Sequence, residues 1–493
     1  MTRYSLFFAL LLAISFAQAQ IASDALRFST LDVTATARNM GVGGAISGLG
    51  ADLSTMSTNP AGIGAYYFSE LVVTPAFTNI QSTSVLQNDP SPASIIEDDT
   101  KFLLSNVGFV SVGRPIASSW RTFSFSMGVN QLNSFQQDFR FEGESQGSIV
   151  NRFQDQANIG VFDRFGSDLA VEAQAVYDLE GDGFFESDVE LNPTALLPKE
   201  QVVAREGSTQ ELFFAFGGNF KDKLLFGASI GVPFLRYEET KTYTENDRAD
   251  EIEFYQSLEY IERLTTTGAG VNAKLGLIFM PTRTIRLGGA VHTPTRLNLE
   301  DAFTTDFTYV FNDGGIEQST ALSPEGNFNY SLRTPWRYLA NGGFIVGKGG
   351  FITAQAEWLD YGANAFNLTR DSNAPEDADY ERELNGQIEE AYENALNLRL
   401  GGEVALGDFR VRGGLGLGFS PDVNVEDVNR LWSLGLGYRT GRFFMDAAFR
   451  TSILEGSYSP YAVAAPSPTQ NISTETTDNR ILLTLGIKFG GDR

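Results

Sequence analysis

The chain carries few residues suited to catalysis. It has one histidine, His292, and no cysteine, so His/Cys zinc sites, thiol nucleophiles and disulfides have nothing to be built from. A Ser-His-Asp triad would rest on His292 alone, and no G-x-S-x-G elbow accompanies it. The expectation is a protein that is not an enzyme. The densest set of oxygen donors is Asp178-Leu-Glu180-Gly-Asp182-Gly183-Phe-Phe-Glu186. Asp178, Glu180 and Asp182 fall at positions 1, 3 and 5 of an EF-hand-type loop with Gly183 at 6, and Glu186 follows. The place of the bidentate Glu is taken by Val189. These residues are a weak candidate for calcium, against the plainer reading of an acidic glycine turn. No other cofactor is expected.

Two glycine clusters, Gly41-Val-Gly-Gly and Gly48-Leu-Gly50, invite a nucleotide-binding reading. The G-x-G-x-x-G spacing fails, because Ile46 and Leu53 stand where the third glycine is needed. A formal net charge of -25 also argues against nucleic acid as a partner, since phosphate binding needs clustered Lys and Arg. The stretch from Arg370 to Glu393 holds nine acidic and two basic residues and reads as a solvated outer loop.

The elements that would position these residues are strands. In the final segment Ile481, Leu483, Leu485, Ile487 and Phe489 share one face, and Thr484, Gly486 and Lys488 the other. In 408–419, Phe409, Val411, Leu415, Leu417 and Phe419 oppose Arg410, Arg412 and three glycines. Such alternation, repeated from about Tyr66 to Phe489, predicts about fourteen strands, each apolar toward lipid and polar toward a lumen. The fold class is thus an all-β transmembrane antiparallel barrel. Short turns at Lys221-Asp222, Pro281–Thr284, Lys348–Gly350, Gly407-Asp408 and Thr440-Gly441 alternate with long polar connections at 136–208, 239–262, 298–328, 362–395 and 452–479. Short turns on one side and long loops on the other are the asymmetry of bacterial outer-membrane barrels. A mean hydropathy of -0.13 fits that class, since barrel strands escape window averages. Within it, Glu357, Arg410, Arg412, Asp446 and Arg450 must face the lumen or sit near a rim, because a charge toward lipid at the midplane costs ~2–4 kcal/mol. Trp120, Trp336, Trp358 and Trp432 are candidates for interfacial girdles. Residues 381–395 read as a helix over the rim, with Leu384, Ile388 and Tyr392 on one face, and 151–177 as a place for another.

Residues 1–19 read as a secretory signal: Arg3, an apolar run from Leu6 to Phe16, then Ala17-Gln18-Ala19. The domain plan is signal 1–19, an irregular Gly/Ala-rich segment 20–64, and barrel 65–493. The implied location is the outer membrane of a Gram-negative bacterium, with membrane lipid and lipopolysaccharide as surroundings.

Ala37-Arg-Asn-Met-Gly-Val-Gly-Gly-Ala, followed by Asn59-Pro60-Ala61-Gly-Ile63, resembles the N-terminus of the FadL/TodX family of outer-membrane transporters for hydrophobic compounds. Arg286–Arg296, Leu332–Trp336, Glu357–Tyr361 and Leu398–Glu403 resemble it too, in order along nearly the whole chain. The resemblance implies that the N-terminal segment is a hatch inside the barrel, with Asn59, Pro60 and Ala61 as its motif. It implies capture of hydrophobic or amphipathic, fatty-acid-like molecules from outside, passive diffusion, and a kink in the third strand that opens a lateral path. Gly128 is the candidate for that kink. A rival reading keeps the barrel but makes it a shuttle or scaffold of a protein secretion system with protein partners. A further one is a structural barrel with no through-path.

Overall fold

The computed structural model describes residues 22–490 except 34, 117, 369–374, 426 and 464–467. The expected signal at 1–19 lies outside the described residues.

Every strand belongs to one antiparallel sheet that closes on itself, since the first strand, β1 (Ser69–Leu86), pairs with the last, β19 (Ile472–Phe489), from Ser69↔Phe489 to Leu86↔Ile472. Going round from β1, the wall continues with β2 (Ser94–Gly113) and β3 (Trp120–Ser134), which is prolonged by β4 (Gln137–Ser145). Then come β5 (Leu197–Phe220), β6 (Leu224–Asn246) and β7 (Tyr255–Phe279). The next two staves are interrupted where prolines cannot donate to the ladder. β8 (Ile285–His292) and β9 (Arg296–Asn312) flank Pro294, whereas β10 (Ile316–Leu322), β11 (Gly326–Arg333) and β12 (Arg337–Ile345) are separated at Pro324 and Pro335. β13 (Gly350–Asp360) is prolonged by β14 (Ala365–Asn367). The circuit is completed by β15 (Asn394–Leu406), β16 (Phe409–Phe419), β17 (Val428–Arg439), β18 (Phe443–Tyr458) and β19. Joining the interrupted pieces gives a fourteen-strand barrel.

The face assignment from alternation holds. Phe409, Leu415 and Leu417 of β16 and Ile481, Leu485 and Phe489 of β19 are exposed, whereas Arg412 and Thr484 are buried. The outward residues form an apolar belt, with Trp336, Trp358 and Trp432 on its surface. Leu482, the one residue out of pattern, points inward and packs with Ala37, Met40, Ala76 and Ala448.

The long connections are shorter than the sequence predicts. β5, β6 and β7 run 24, 23 and 25 residues, over twice the ~9–11 a membrane crossing needs. Their far halves stand beyond the apolar belt, so their outward faces are polar and they read as loops. Period-2 burial continues there: in Glu239-Thr-Lys241-Thr-Tyr243-Thr-Glu245 every second side chain is buried. What these ends enclose is a second core. The α-helices Ile149–Asn158 and Ser167–Glu172 within 136–208 pack Val150, Phe153 and Leu169 against Tyr243, Tyr255, Tyr260, Phe307 and Tyr309. The helix Pro375–Ala391 adds Leu384 and Ile388 to a neighbouring cluster with Phe28, Tyr237 and Leu359.

Residues 22–66 lie inside the barrel. A helix at 22–29 begins near the long-loop side, and short helices at Ala37–Gly41, Ile46–Gly48, Leu53–Ser57 and Pro60–Ala65 descend to β1. All of residues 35–64 are buried except Arg38 and Ala51. Alanine and glycine suit a segment that must fold in a lumen too narrow for large side chains.

Candidate functional site

The lumen segment is fastened to the wall along its length. Ala37 N donates to Thr484 Oγ1 at 2.8 Å, Gly43 N to Ser433 Oγ at 3.0 Å, and Thr353 Oγ1 to Ala45 O at 2.7 Å. Asp52 ties the segment to itself, accepting from Thr36 Oγ1 at 2.8 Å and from Ser54 N at 3.0 Å. At the expected motif, Asn59 caps the helix Pro60–Ala65 through Ala61 N, 3.1 Å from Asn59 Oδ1, with Pro60 in the first-turn place where its missing N–H costs nothing. The turn is seated against two wall glycines. A Cβ on Gly276 would stand 2.0 Å from Asn59 Oδ1, and one on Gly227 2.1 Å from Pro60 O. Only glycine lets the two backbones approach this closely.

The expected lumen charges are all inward, and the structure gives each a partner. Arg412 lies 2.7 Å from both Glu403 and Asp446, and Asp446 is also 3.2 Å from Arg439. Glu357 pairs with Arg337 at 3.0 Å, and Arg337 donates to the Ser29 carbonyl of the lumen segment. Arg450 holds Asp32 of that segment at 2.6 Å, with Arg480 at 3.3 Å from the same oxygen. Burial alone would raise the Asp32 carboxyl, but Arg450 and Arg480 outweigh it and hold the group well below the usual carboxylate range. Arg410 differs: it sits at the short-turn rim and donates to Gly407 O and Phe409 O. The sequence reading missed Glu211 and Lys274, a buried ion pair whose carboxylate accepts from Ser57 Oγ at 2.6 Å. Both stand on the lumen parity of their strands, where an unbroken count of alternation would have found them.

His292 is not poised for chemistry. Its Nε2 lies 2.5 Å from the Thr58 carbonyl, which can only accept, so Nε2 carries the proton and the ring is a fastening for the lumen segment. The calcium ligand set is not assembled. Asp178 accepts from the backbone N–H of Gly181, Asp182 and Gly183 at 2.7, 3.2 and 2.9 Å, which engages both its oxygens in closing the turn. Among the described residues no group of three or more His, Cys, Asp or Glu side chains could hold a metal ion.

The wall is incomplete at one seam. β2 pairs with β1 from Ser94↔Val85 to Val110↔Glu70 but with β3 only from Asn106↔Asn130 to Gly113↔Phe123. The kink is not at Gly128. That residue pairs in register with Gly108 and with Phe213, and its bare α-carbon is what admits them: a Cβ would meet Gly108 Cα at 2.6 Å and the Phe213 ring at 2.9 Å. The register shifts lie on either side of it, between Trp120 and Thr122 at the start of the strand and between Gln131 and Asn133. Beyond the second the chain turns inward. β4 pairs with β5 alone, and its Arg140 carbonyl accepts from Ser84, a lumen-facing residue of β1, at 2.7 Å. The outer half of β2, residues 94–105, is left with one paired edge among the described residues. Side chains bridge the seam instead: Lys101 to Glu206 of β5 at 2.7 Å, and Gln136 Nε2 to Asp99 at 2.5 Å.

On the long-loop side of the lumen segment lies a chamber of about 320 Å³. Its lining includes Leu26, Leu31, Leu431 and Leu454, with Asp32 and Arg450 already paired, and Asp427 and Glu455 near the outer end. Arg399 also reaches it and has no carboxylate within ion-pair distance among the described residues. A largely apolar chamber above a filled lumen, lined by β15–β18, together with a wall unzipped elsewhere on its outer half between β2 and β3, defines the class: a plugged transmembrane barrel with a side opening.

The comparisons narrow the class to a fold. No protein-family model matches the chain, and no curated protein matches it in sequence. In structure it is similar to a Pseudomonas aeruginosa FadL homologue, at 14% identity and a TM-score of 0.54, covering 94% of this chain and 100% of that one. It is also similar to the P. putida toluene transporter TodX, at 10% identity and a TM-score of 0.50, covering 92% of this chain and 97% of that one. The protein has the FadL/TodX fold.

Proposed function

We propose that the protein is an outer-membrane channel that takes up hydrophobic and amphipathic small molecules by passive diffusion, with residues 22–66 as its hatch. The observation that carries this reading is the seam between β2 and β3, which begins at the outer margin of the apolar belt, where Phe102 and Leu104 are exposed, and continues beyond it. A water-filled pore needs no opening sideways. A hydrophobe does, because delivering it into water costs ~0.8 kcal/mol for each CH₂. The apolar chamber supports the reading as a holding place, and Arg399 suits an amphipath with an anionic end. The similarity to a toluene transporter and a FadL homologue points the same way.

Native mass spectrometry of the detergent-purified barrel, with extraction of whatever co-purifies, tests the proposal. A bound hydrophobe, displaced by added fatty acid and lost when Asn59-Pro60-Ala61 is replaced, is the expected result. A barrel without small molecules that keeps a stoichiometric protein partner would instead favour the secretion scaffold.

A further inference from the structure

The lumen segment has a second cavity, on its short-turn face, which the uptake route above does not use. It measures about 250 Å³ and brings together Arg38 from the lumen segment, Arg286 from β8, Lys348 from the turn before β13 and Arg410 from β16. The single carboxylate in its lining, Glu403, is already held by Arg412 at 2.7 Å and Arg410 at 3.6 Å. Four cations thus surround one committed anion.

The two inner arginines are only partly satisfied. Arg38 donates one N–H to Ala51 O at 2.7 Å, and Arg286 donates one to Leu49 O. The Nε of each is buried and has no hydrogen-bond partner. Leaving a charged donor unpaired in a site shielded from water is costly. Both side chains reach for carbonyls of the same three-residue turn, Leu49–Ala51, in which Gly50 and Ala51 have φ of 72° and 52°. Ala51 is a non-glycine residue in the left-handed region, a conformation its surroundings must hold.

From this geometry we propose that the short-turn, periplasmic face of the hatch is an oxyanion-binding pocket, built to take a carboxylate or phosphate group between Arg38, Arg286 and Lys348. The planar forks of the two arginines match such a group bidentately. Lys348 is exposed on its turn and placed to meet the anion first. The Phe351 ring, 5.9 Å from the Arg38 guanidinium, gives the pocket one apolar side. An oxyanion held here competes with the Leu49 and Ala51 carbonyls for the same N–H groups, so occupation loosens the turn that the arginines fasten. The anion has two sources with one chemistry: the head of an amphipath leaving the barrel, or a free inorganic anion. The first source rests on the uptake reading. The pocket does not.

The test is calorimetric titration of the full-length barrel in detergent with inorganic phosphate and with hexyl phosphate. Variants Lys348→Gln and Arg286→Gln are compared with the wild type, all in an Arg399→Gln background so that the upper chamber is silent. Saturable binding at one site per chain, weakened about tenfold or more by either substitution, is expected. Lys348 lies on an exposed turn, so its variant keeps the result readable if Arg286→Gln does not fold. Hexyl phosphate about tenfold tighter than phosphate identifies the head of an amphipath, and equal affinities a free oxyanion. Binding unchanged in both variants, or no saturable binding of either probe, overturns the proposal. Neither result touches hydrophobe binding in the upper chamber, which is read separately by mass spectrometry.

Discussion

Arg412 and Asp446 are both fully shielded from solvent, 2.7 Å apart, in a wall whose lipid side is apolar. Here a charge cannot be hydrated by either neighbour, and it is tolerable only because Glu403 and Arg439 complete the network. Removing one member leaves the rest uncompensated. Asp446→Asn is expected to lower the unfolding free energy by about 3 kcal/mol, read from urea titration of the barrel refolded into lipid. Replacing the pair together, Arg412→Met with Asp446→Leu, should recover most of that loss. A double variant as unstable as the single one would show that packing, and not stranded charge, sets the cost. The inward placement of Glu357, Arg412, Asp446 and Arg450 was legible from strand parity. The Asp32 partner of Arg450 was not, because it comes from a segment with no periodicity to place it.

Among the elements, the hatch and the seam make separable predictions. Gly276 and Gly227 hold the Asn59–Ala61 turn by having no side chain. Gly276→Val forces Asn59 off the wall, and single-channel recording should then show ion conductance well above the wild type. Unchanged conductance would mean that the turn is not part of the closure. The seam is bridged chiefly by Lys101 and Glu206, both substantially solvent-accessible, so their pairing contributes only ~0–1 kcal/mol and can bias an opening at most about fivefold. Lys101→Glu puts like charges beside Asp99 and Glu206. Faster uptake of a hydrophobe into proteoliposomes is expected, up to about fivefold, with ion conductance unchanged. A rise in both would place the route through the hatch. The kink was misplaced in the sequence because glycine can signal a bend or a close neighbour, and at Gly128 it is the neighbour. The bend at 131–133 carries no glycine or proline to announce it.

At the scale of the molecule, a membrane barrel is topped by a soluble core, and the two obey different rules. The belt is apolar outside and polar within, while the dome formed by β5–β7 and the helices Ile149–Asn158 and Ser167–Glu172 is apolar within. Strand number and facing were readable because the belt imposes a strict period of two. The dome was read as loops, since its strands have polar outer faces and its core is assembled from distant segments. The acidic turn at Asp178–Glu186 projects from it, with Leu179 and Phe184 exposed. Limited proteolysis should cut there first and leave a fragment pair that still migrates as a folded, heat-resistant barrel. Loss of that migration on cleavage would show that dome and barrel fold as one unit.

The pairing of β1 with β19 joins Ser69 to Phe489, and so sets an order of assembly. Contacts this remote in sequence are the last to form and the slowest. Until the final strand arrives, the barrel is an open sheet with two bare edges, the state in which such chains are most prone to aggregate. The N-terminal segment, joined to β1 by only Tyr67 and Phe68, is made first and closed in last. It must find its seat on the glycines of β6 and β7 while the wall is still open beside it. Afterwards that segment can leave only by unfolding within the ring, and so closure of the barrel turns a loosely tethered peptide into a captive part.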